Sequence, residues 1–184
     1  LTASGNESFG ITMLHQPTSA TASTPAVMLS SHNGVSNPLS IAQGWIFKFL
    51  SSALYSEWIG VFNATTINPG EGFTMKGTAG TDATFLDAGV TNNPGNNQRY
   101  DFRGRPNDGD ITINLAVGKR TLTGNPYPSA IDLKAFLLSA TNSTGVAYFW
   151  EQDETVNSHN IAAYKGGYGT YSPVGGSTVA PYGT

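Results

Sequence analysis

The chain has 184 residues, a formal net charge of -3 at pH 7 and no cysteine. The lack of cysteine excludes disulfides, thiolate metal sites and a cysteine nucleophile within these residues. The weakly acidic balance argues against nucleic acid or an anionic membrane surface as a partner. No apolar run approaches the roughly twenty residues that span a bilayer, so membrane insertion is not expected either.

The composition favours an all-β protein that faces an extracellular medium. Glycine (22) and proline (10) are abundant, and charged residues make up 11% of the chain. Ser, Thr and Asn fill the spaces between short apolar runs. A chain of this length fits one domain that buries roughly two-thirds of its unfolded surface. We therefore predict an antiparallel β-sandwich, jelly-roll-like, as a single domain over residues 1–184, with residues 1–40 its least regular part.

The first half of the chain is predicted to form short strands separated by turns. Residues 45–50 alternate so that one face is heavily aromatic, which is the period of a strand. Pro69 and Gly70 suit the two central positions of a tight turn. The predicted strands of this half cover residues 8–14, 27–30, 45–50, 58–62 and 73–77.

The second half continues the strand pattern as far as a glycine-rich end. Residues 110–117 alternate strictly between apolar and polar side chains, which predicts a half-buried strand, and Gly118 then begins a hairpin turn. From Lys165 the chain is rich in glycine and tyrosine, and no terminal element is expected there. The further predicted strands cover residues 98–103, 146–150 and 161–164.

Between these strands, a rigid turn is predicted to lead into one short helix near residues 130–139. Two prolines restrict the residues before them to extended geometry, and a serine followed three residues later by an acid fits a capping box. The alternative is that Asn125, Tyr127 and Asp132 bind a ligand. The predicted turn and cap residues are Gly124, Asn125, Pro126, Tyr127, Pro128, Ser129 and Asp132.

One acidic turn is a candidate calcium site. Asn107, Asp108 and Asp110, with Asp101 as a further candidate, offer the hard oxygen ligands that calcium prefers. They lack the spacing of a known calcium loop, and the alternative is that these side chains cap the turn. No other cofactor is predicted.

Three tryptophans are candidate ligand-binding residues. Trp45, Trp58 and Trp150 would form a sugar-stacking platform if two of them were exposed on one face. Inside alternating β patterns, the alternative is that tryptophans belong to the core. The three histidines show no metal-ligand spacing, and neither a nucleophile elbow nor a nucleotide-binding loop is present in the sequence. No enzyme activity is therefore expected from these residues.

Four motifs occur in order along the chain, at residues 70–78, 100–109, 122–132 and 148–152, and the Gly-Asn-Pro-Tyr-Pro run in the third is the most specific. With these motifs, and over about residues 44–182, the chain resembles β-rich modules of large secreted surface proteins of gliding and related Bacteroidota. Such proteins are often exported by the type IX secretion system and held on the cell surface. Their modules often precede a C-terminal sorting signal.

The resemblance implies a noncatalytic structural or adhesive module of a large cell-surface protein. It implies as partners the other domains of the same chain and the type IX translocon or surface-anchoring proteins, and it provides no catalytic residue to carry over. Relatives usually continue into a further aromatic segment, so we expect that this chain, which ends at Thr184, is a fragment of a longer one. The alternative, from the tryptophans and the calcium-like turn, is a carbohydrate-binding module or accessory domain of a secreted polysaccharide-degrading enzyme that contacts surface glycans.

Overall fold

The chain divides into two compact units, Leu1–Ser129 and Ala130–Thr184. The prediction of a single domain over residues 1–184 stays a prediction. The computed structural model describes residues 11–19, 21–30, 34–36, 38–62, 64–78, 82–87, 90–93, 100–102, 104–152 and 166–178.

The first unit is built from short strands in small sheets. Its strands are β1 (Leu14–Pro17), β2 (Ser23–Pro25), β3 (Val27–Leu29), β4 (Val35–Ser36), β5 (Leu39–Ala42), β6 (Phe47–Lys48), β7 (Ile59–Gly60), β8 (Asp82–Asp87), β9 (Val90–Asn93) and β10 (Asp101–Phe102). β1 lies between β10 and β2, β5 lies between β3 and β4, β6 pairs with β7, and β8 pairs with β9. Of these pairs, β3 with β5 is parallel and the others are antiparallel.

The second unit contains a short helix and a three-stranded sheet. Its elements are α1 (Leu133–Ser139), β11 (Ala147–Gln152), β12 (Gly166–Ser172) and β13 (Gly176–Thr178). β12 lies between β11 and β13 and is antiparallel to both.

The core of the first unit is a cluster of aliphatic side chains. All four residues of β5 are buried, because the strand is central in its sheet. Burial of one such aliphatic side chain contributes about 1.5–3 kcal/mol. The cluster consists of Ile11, Leu14, Leu39, Ile41, Ile46 and Val61.

The all-β prediction is confirmed at the level of secondary structure. The described residues are mainly strands in small, mostly antiparallel sheets, with one short α-helix among them. That helix, Leu133–Ser139, lies within the predicted range. The parallel pairing of β3 with β5 departs from the antiparallel expectation. The sandwich or jelly-roll arrangement stays a prediction.

The strand predicted at residues 110–117 is wrong. The segment has no strand in the structure. Ile111 and Ile113 are partly buried, whereas Leu115 and Val117 are 53% and 96% exposed. The apolar side chains at the start of the segment therefore contact the interior, but the segment pairs with no neighbouring strand and so forms no ladder.

The turn predicted at Pro69 and Gly70 is confirmed, whereas Gly118 lies in a turn that does not join two paired strands. The N–H of Glu71 donates to the carbonyl of Asn68 at 3.0 Å, and Gly70 has a φ of +88° between them. Gly118 has a φ of +66°. Such left-handed backbone favours glycine, which has no Cβ to clash with the following carbonyl.

Other predicted strands of the first unit are shorter than expected or displaced. Residues 11–13 of the first predicted strand form a 3-10 turn, and β1 starts after it. Gln43–Trp45 also form a 3-10 turn, which leaves only β6 of the aromatic strand predicted at 45–50. The strand predicted at 73–77 is reduced to an isolated bridge between Thr74 and Phe47. The strands predicted at 27–30, 58–62 and 98–103 are confirmed in part as β3, β7 and β10.

The expectation of no terminal element after Lys165 is wrong. The glycine-rich segment forms the central strand β12, followed by β13. Glycine weakens a strand because it has no side chain to pack, so this glycine-rich segment carries little strand signal. β12 is instead stabilised by its ladder with β11, which runs from Ala147 opposite Tyr171 to Gln152 opposite Gly166. The strand predicted at 161–164 lies outside the described residues.

Candidate functional site

An aromatic group on the β11–β12–β13 sheet is the candidate functional site. β11 and β12 pair so that Tyr148 lies opposite Thr170 and Trp150 lies opposite Tyr168. Directly paired residues share a sheet face, and side chains alternate along each strand. Tyr148, Trp150 and Tyr168 therefore lie on the same face, which we call the aromatic face.

The rings of the aromatic face contact one another and remain exposed to solvent. The centroids of Trp150 and Tyr168 are 5.0 Å apart with an interplanar angle of 68°, and those of Tyr148 and Tyr168 are 6.3 Å apart at 90°. Their exposed fractions are 52% for Tyr148, 43% for Trp150 and 57% for Tyr168. Edge-to-face contacts are favourable between aromatic rings. The rings thus hold each other in place while still presenting surface to a ligand.

A glycine provides the space for the Trp150 indole. A Cβ atom at Gly166 would collide with the six-membered ring of Trp150 and with the carbonyl oxygen of Glu151. The indole therefore lies over the backbone of β12, in space that any other residue at position 166 would fill. This position fixes the largest ring of the aromatic face against the sheet.

Hydroxyl groups continue the same face onto β13. Thr170 lies opposite Tyr148 on one side and opposite Thr178 on the other. The two threonine hydroxyl oxygens are 2.7 Å apart and hydrogen-bonded. Glu151 pairs with Gly167 and so lies on the opposite face. The described side chains of the aromatic face and its threonine edge are uncharged.

The three predicted tryptophans have different surroundings. Trp150 is exposed in the second unit, whereas Trp45 and Trp58 are partly buried in the first unit. The Lys76 ammonium lies 5.6 Å from the Trp45 ring centroid, and the centroids of Phe49 and Trp58 are 4.9 Å apart. Desolvation by burial lowers the pKa of Lys76. Of the three, Trp150 is the one with the surface that a stacking ligand needs.

The candidate calcium ligands lie in an irregular segment that contacts the proline-rich segment. The amide nitrogen of Asn107 donates to the carbonyl of Pro126 at 2.8 Å, and the Tyr127 hydroxyl donates to the carbonyl of Gly109 at 2.7 Å. Within the described part of the chain, no group of three or more His, Cys, Asp or Glu could hold a metal ion. Calcium binding stays a hypothesis for these residues, which are Asn107, Asp108 and Asp110.

The predicted capping box is half correct. Asp132 is the N-cap of α1, and its carboxylate accepts a hydrogen bond from the N–H of Ala135 at 3.0 Å. Ser129 is not the cap, because the helix starts three residues later than a box at Ser129 would require. Its carbonyl instead accepts from the Asn125 side chain at 2.6 Å, and the Asn125 Oδ1 accepts from the N–H of Tyr127 at 3.0 Å. These bonds support the reading of the segment as a turn and a cap.

A nearly buried ion pair lies in the first unit. Lys48 Nζ is 2.8 Å from Glu71 Oε2, and the two side chains are 10% and 13% exposed. Lys48 also donates to the carbonyl of Thr66 at 2.8 Å, and Glu71 accepts from the backbone and side-chain nitrogens of Asn68 at 3.0 and 2.7 Å. Burial raises the pKa of Glu71, but the hydrogen bonds from Lys48 and Asn68 outweigh it and leave the pKa below its usual 4.5. The pair therefore connects β6 to the turn that contains Gly70.

Among the histidines, His15 is the one that the structure describes. Its Nδ1 is 3.0 Å from the Ser23 hydroxyl, a contact between β1 and β2. Asp101, the further calcium candidate, lies opposite His15 in β10. His32 and His159 lie outside the described residues. In the part of the chain that the structure describes, no helix is long and apolar enough to cross a membrane.

Sequence reasoning identified Trp150 and missed its two tyrosine neighbours. Tyr148 carries a usable signal, because it stands two residues before Trp150 in a predicted strand and positions i and i+2 share one face of a strand. Tyr168 stands between glycines, and its position beside Trp150 depends on a register that the glycines do not specify.

The sequence profile of one protein family, described as a domain of unknown function (DUF8693), matches residues 19–182. The matched range extends over most of the chain and into both units. Comparisons with curated proteins and with solved structures gave no match.

Proposed function

Since the chain belongs to this family of domains of unknown function, we propose a role from its own residues: a noncatalytic structural or adhesive module of a large protein displayed outside the cell. The observation that carries this proposal is the aromatic face, whose rings are held in register on a small sheet while each is about half exposed. Exposed aromatic surface marks a site of interaction, and Tyr and Trp are favoured contact residues.

The extracellular part of the proposal has two supports. Charged residues make up 11% of the chain, and glycine and small polar residues are abundant, as suits a surface-displayed β protein. The motif series at residues 70–152 resembles secreted surface proteins of Bacteroidota. On that resemblance we extend the proposal to export by the type IX secretion system, with the translocon or surface-anchoring proteins and the other domains of the parent chain as partners.

Surface display is tested by labelling intact cells that carry the native protein with an antibody against this chain. We expect labelling without permeabilisation and loss of the label after external protease treatment. In a strain that lacks the type IX translocon, the label should disappear from the surface. A signal that requires permeabilisation in the wild-type strain would contradict display.

A second candidate function is a carbohydrate-binding module, or the accessory domain of a secreted polysaccharide-degrading enzyme. It is favoured by the 43% exposure of Trp150 beside two exposed tyrosines. If the parent chain carries such an enzyme, deletion of this module should lower its activity on insoluble polysaccharide and leave its activity on short soluble oligosaccharides unchanged. Equal loss on both substrates would argue against an accessory role.

A further inference from the structure

We infer that the aromatic face binds a single chain of a neutral glycan. The rings of Tyr148, Trp150 and Tyr168 stack on the sugar units, and the hydroxyls of Thr170 and Thr178 bond to sugar hydroxyls at the β13 edge. The inference deepens the second candidate function, on which it rests, by naming the site and the class of ligand.

Stacking on sugars follows from the electronic structure of the rings. An aromatic ring is negative over its face, and the C–H groups that line one face of a sugar ring are weakly positive. Trp150 provides the largest ring, and it lies across Gly166 with 43% of its surface exposed. A sugar that covers this surface removes apolar area from water on both partners.

The angles between the rings select the shape of the glycan. Tyr168 is inclined at 68° to Trp150 and at 90° to Tyr148, so the three rings do not form one flat plane. A flat platform would suit the planar surface of a crystalline polysaccharide. The inclined rings instead suit one soluble chain whose successive sugars are turned relative to one another.

The charge of the site selects a neutral ligand. The described side chains of the aromatic face are uncharged, and the nearest acid of β11, Glu151, lies on the opposite face. An anionic polysaccharide would lose hydration there without gaining an ion pair. The hydrogen-bonded threonine pair, whose oxygens are 2.7 Å apart, provides the exchangeable hydroxyls that a polyhydroxylated ligand can match.

The test is affinity electrophoresis of the whole chain through gels that contain a neutral polysaccharide or an anionic one. Hydroxyethylcellulose, galactomannan and amylopectin are the neutral probes, and polygalacturonate is the anionic probe. We expect at least one neutral polysaccharide to retard the protein and polygalacturonate to leave it unretarded. Trp150→Ala should weaken binding by about tenfold or more, the loss of one good stacking contact.

Phe149→Ala is the matched control. Phe149 is the next residue of the same strand, and it is 52% exposed, as is Tyr148. It pairs with Gly169 and so lies on the opposite face. The control should therefore retain wild-type retardation, whereas Tyr148→Ala should lose part of it.

A second variant addresses the case in which Trp150→Ala does not fold. Gly166→Ala retains every aromatic side chain but places a Cβ where the indole lies. It should weaken retardation in the neutral gel, with circular dichroism used to confirm the fold. Trp150→Phe, which retains a ring, should bind more weakly than wild type and more tightly than Trp150→Ala.

Four results would overturn the inference. The first is that none of the neutral polysaccharides retards the protein, and the second is that polygalacturonate retards it as strongly as they do. The third is that Phe149→Ala weakens binding as much as Trp150→Ala does. The fourth is self-association of the chain that Trp150→Ala abolishes, because a second copy would then occupy the aromatic face. Surface labelling of intact cells is a separate measurement. If intact cells are labelled but no neutral polysaccharide retards the protein, the glycan site is contradicted and the proposal of surface display is not.

Discussion

Glu71 joins Lys48 to both nitrogen atoms of Asn68 within one small region of the first unit. The Lys48 and Glu71 side chains are only 10% and 13% exposed, so water screens their attraction less than at an open surface. If one partner loses its charge, the other remains nearly buried without compensation. This single carboxylate is thus expected to stabilise the fold more than the exposed acids do.

Glu71→Gln is expected to lower the free energy of unfolding by about 1–3 kcal/mol at pH 7, because a charged hydrogen bond is lost in a nearly buried place. Urea unfolding measures the change. Glu57→Gln is the control, since the Glu57 carboxylate accepts hydrogen bonds from the N–H groups of Ala53 and Leu54 and forms no ion pair with any residue that the structure describes. An equal loss in the control would contradict the importance of the Lys48 contact.

The Glu71 contribution should also depend on pH. Its pKa in the folded state is below the usual 4.5, so its stabilisation is fully present above that value and is lost as the pH falls through the lower folded-state pKa. The difference in urea midpoint between wild type and Glu71→Gln should therefore narrow at acidic pH. A difference that stays constant from neutral pH into the acid range would contradict this linkage.

At the scale of elements, the short helix depends on its cap. Asp132→Ala is expected to cost about 1 kcal/mol, because the N–H of Ala135 loses its acceptor. Ser129→Ala should have little effect on stability. The bond at Ser129 is accepted by its backbone carbonyl, which alanine retains, and the N-cap of the helix is Asp132. Urea unfolding of the two variants distinguishes the observed cap from the predicted capping box. Equal losses would favour the box.

Elements with local signals could be predicted from the sequence. The compact aromatic run of residues 146–150 predicted β11, and the serine followed three residues later by an acid predicted a helix start near α1. Elements that depend on distant partners could not. β12 is glycine-rich and becomes a strand through β11, whereas residues 110–117 alternate correctly and still have no strand. Alternation did not predict burial throughout this segment either, since Val117 is 96% exposed, and a ladder requires a neighbouring strand that periodicity does not identify.

The same limit applies to the candidate site. Trp150 could be predicted because tryptophan is rare and sits in a clear strand pattern. Tyr168 could not, because its place beside Trp150 depends on the β11–β12 register. Trp45 and Trp58 share the residue type but contact Lys76 and Phe49 and are partly buried. Residue type therefore predicted candidates, and the fold distinguished among them.

At the scale of the whole molecule, the named core cluster and the aromatic face belong to different units. Ile41 is fully buried in β5, so Ile41→Ala should lower the free energy of unfolding by about 2–5 kcal/mol through lost burial and a cavity. Val117→Ala is the control, since Val117 is 96% exposed and should change stability little. Comparable losses in urea unfolding would contradict the assignment of the core.

The most direct test of glycan binding uses Trp150 as its own reporter. In a protein that carries Trp45→Phe and Trp58→Phe, Trp150 is the remaining tryptophan. Its fluorescence should change and saturate as galactomannan, amylopectin or hydroxyethylcellulose is added, and it should stay constant with polygalacturonate. Emission that is unchanged by all three neutral polysaccharides would contradict the assignment of the aromatic face as a glycan site.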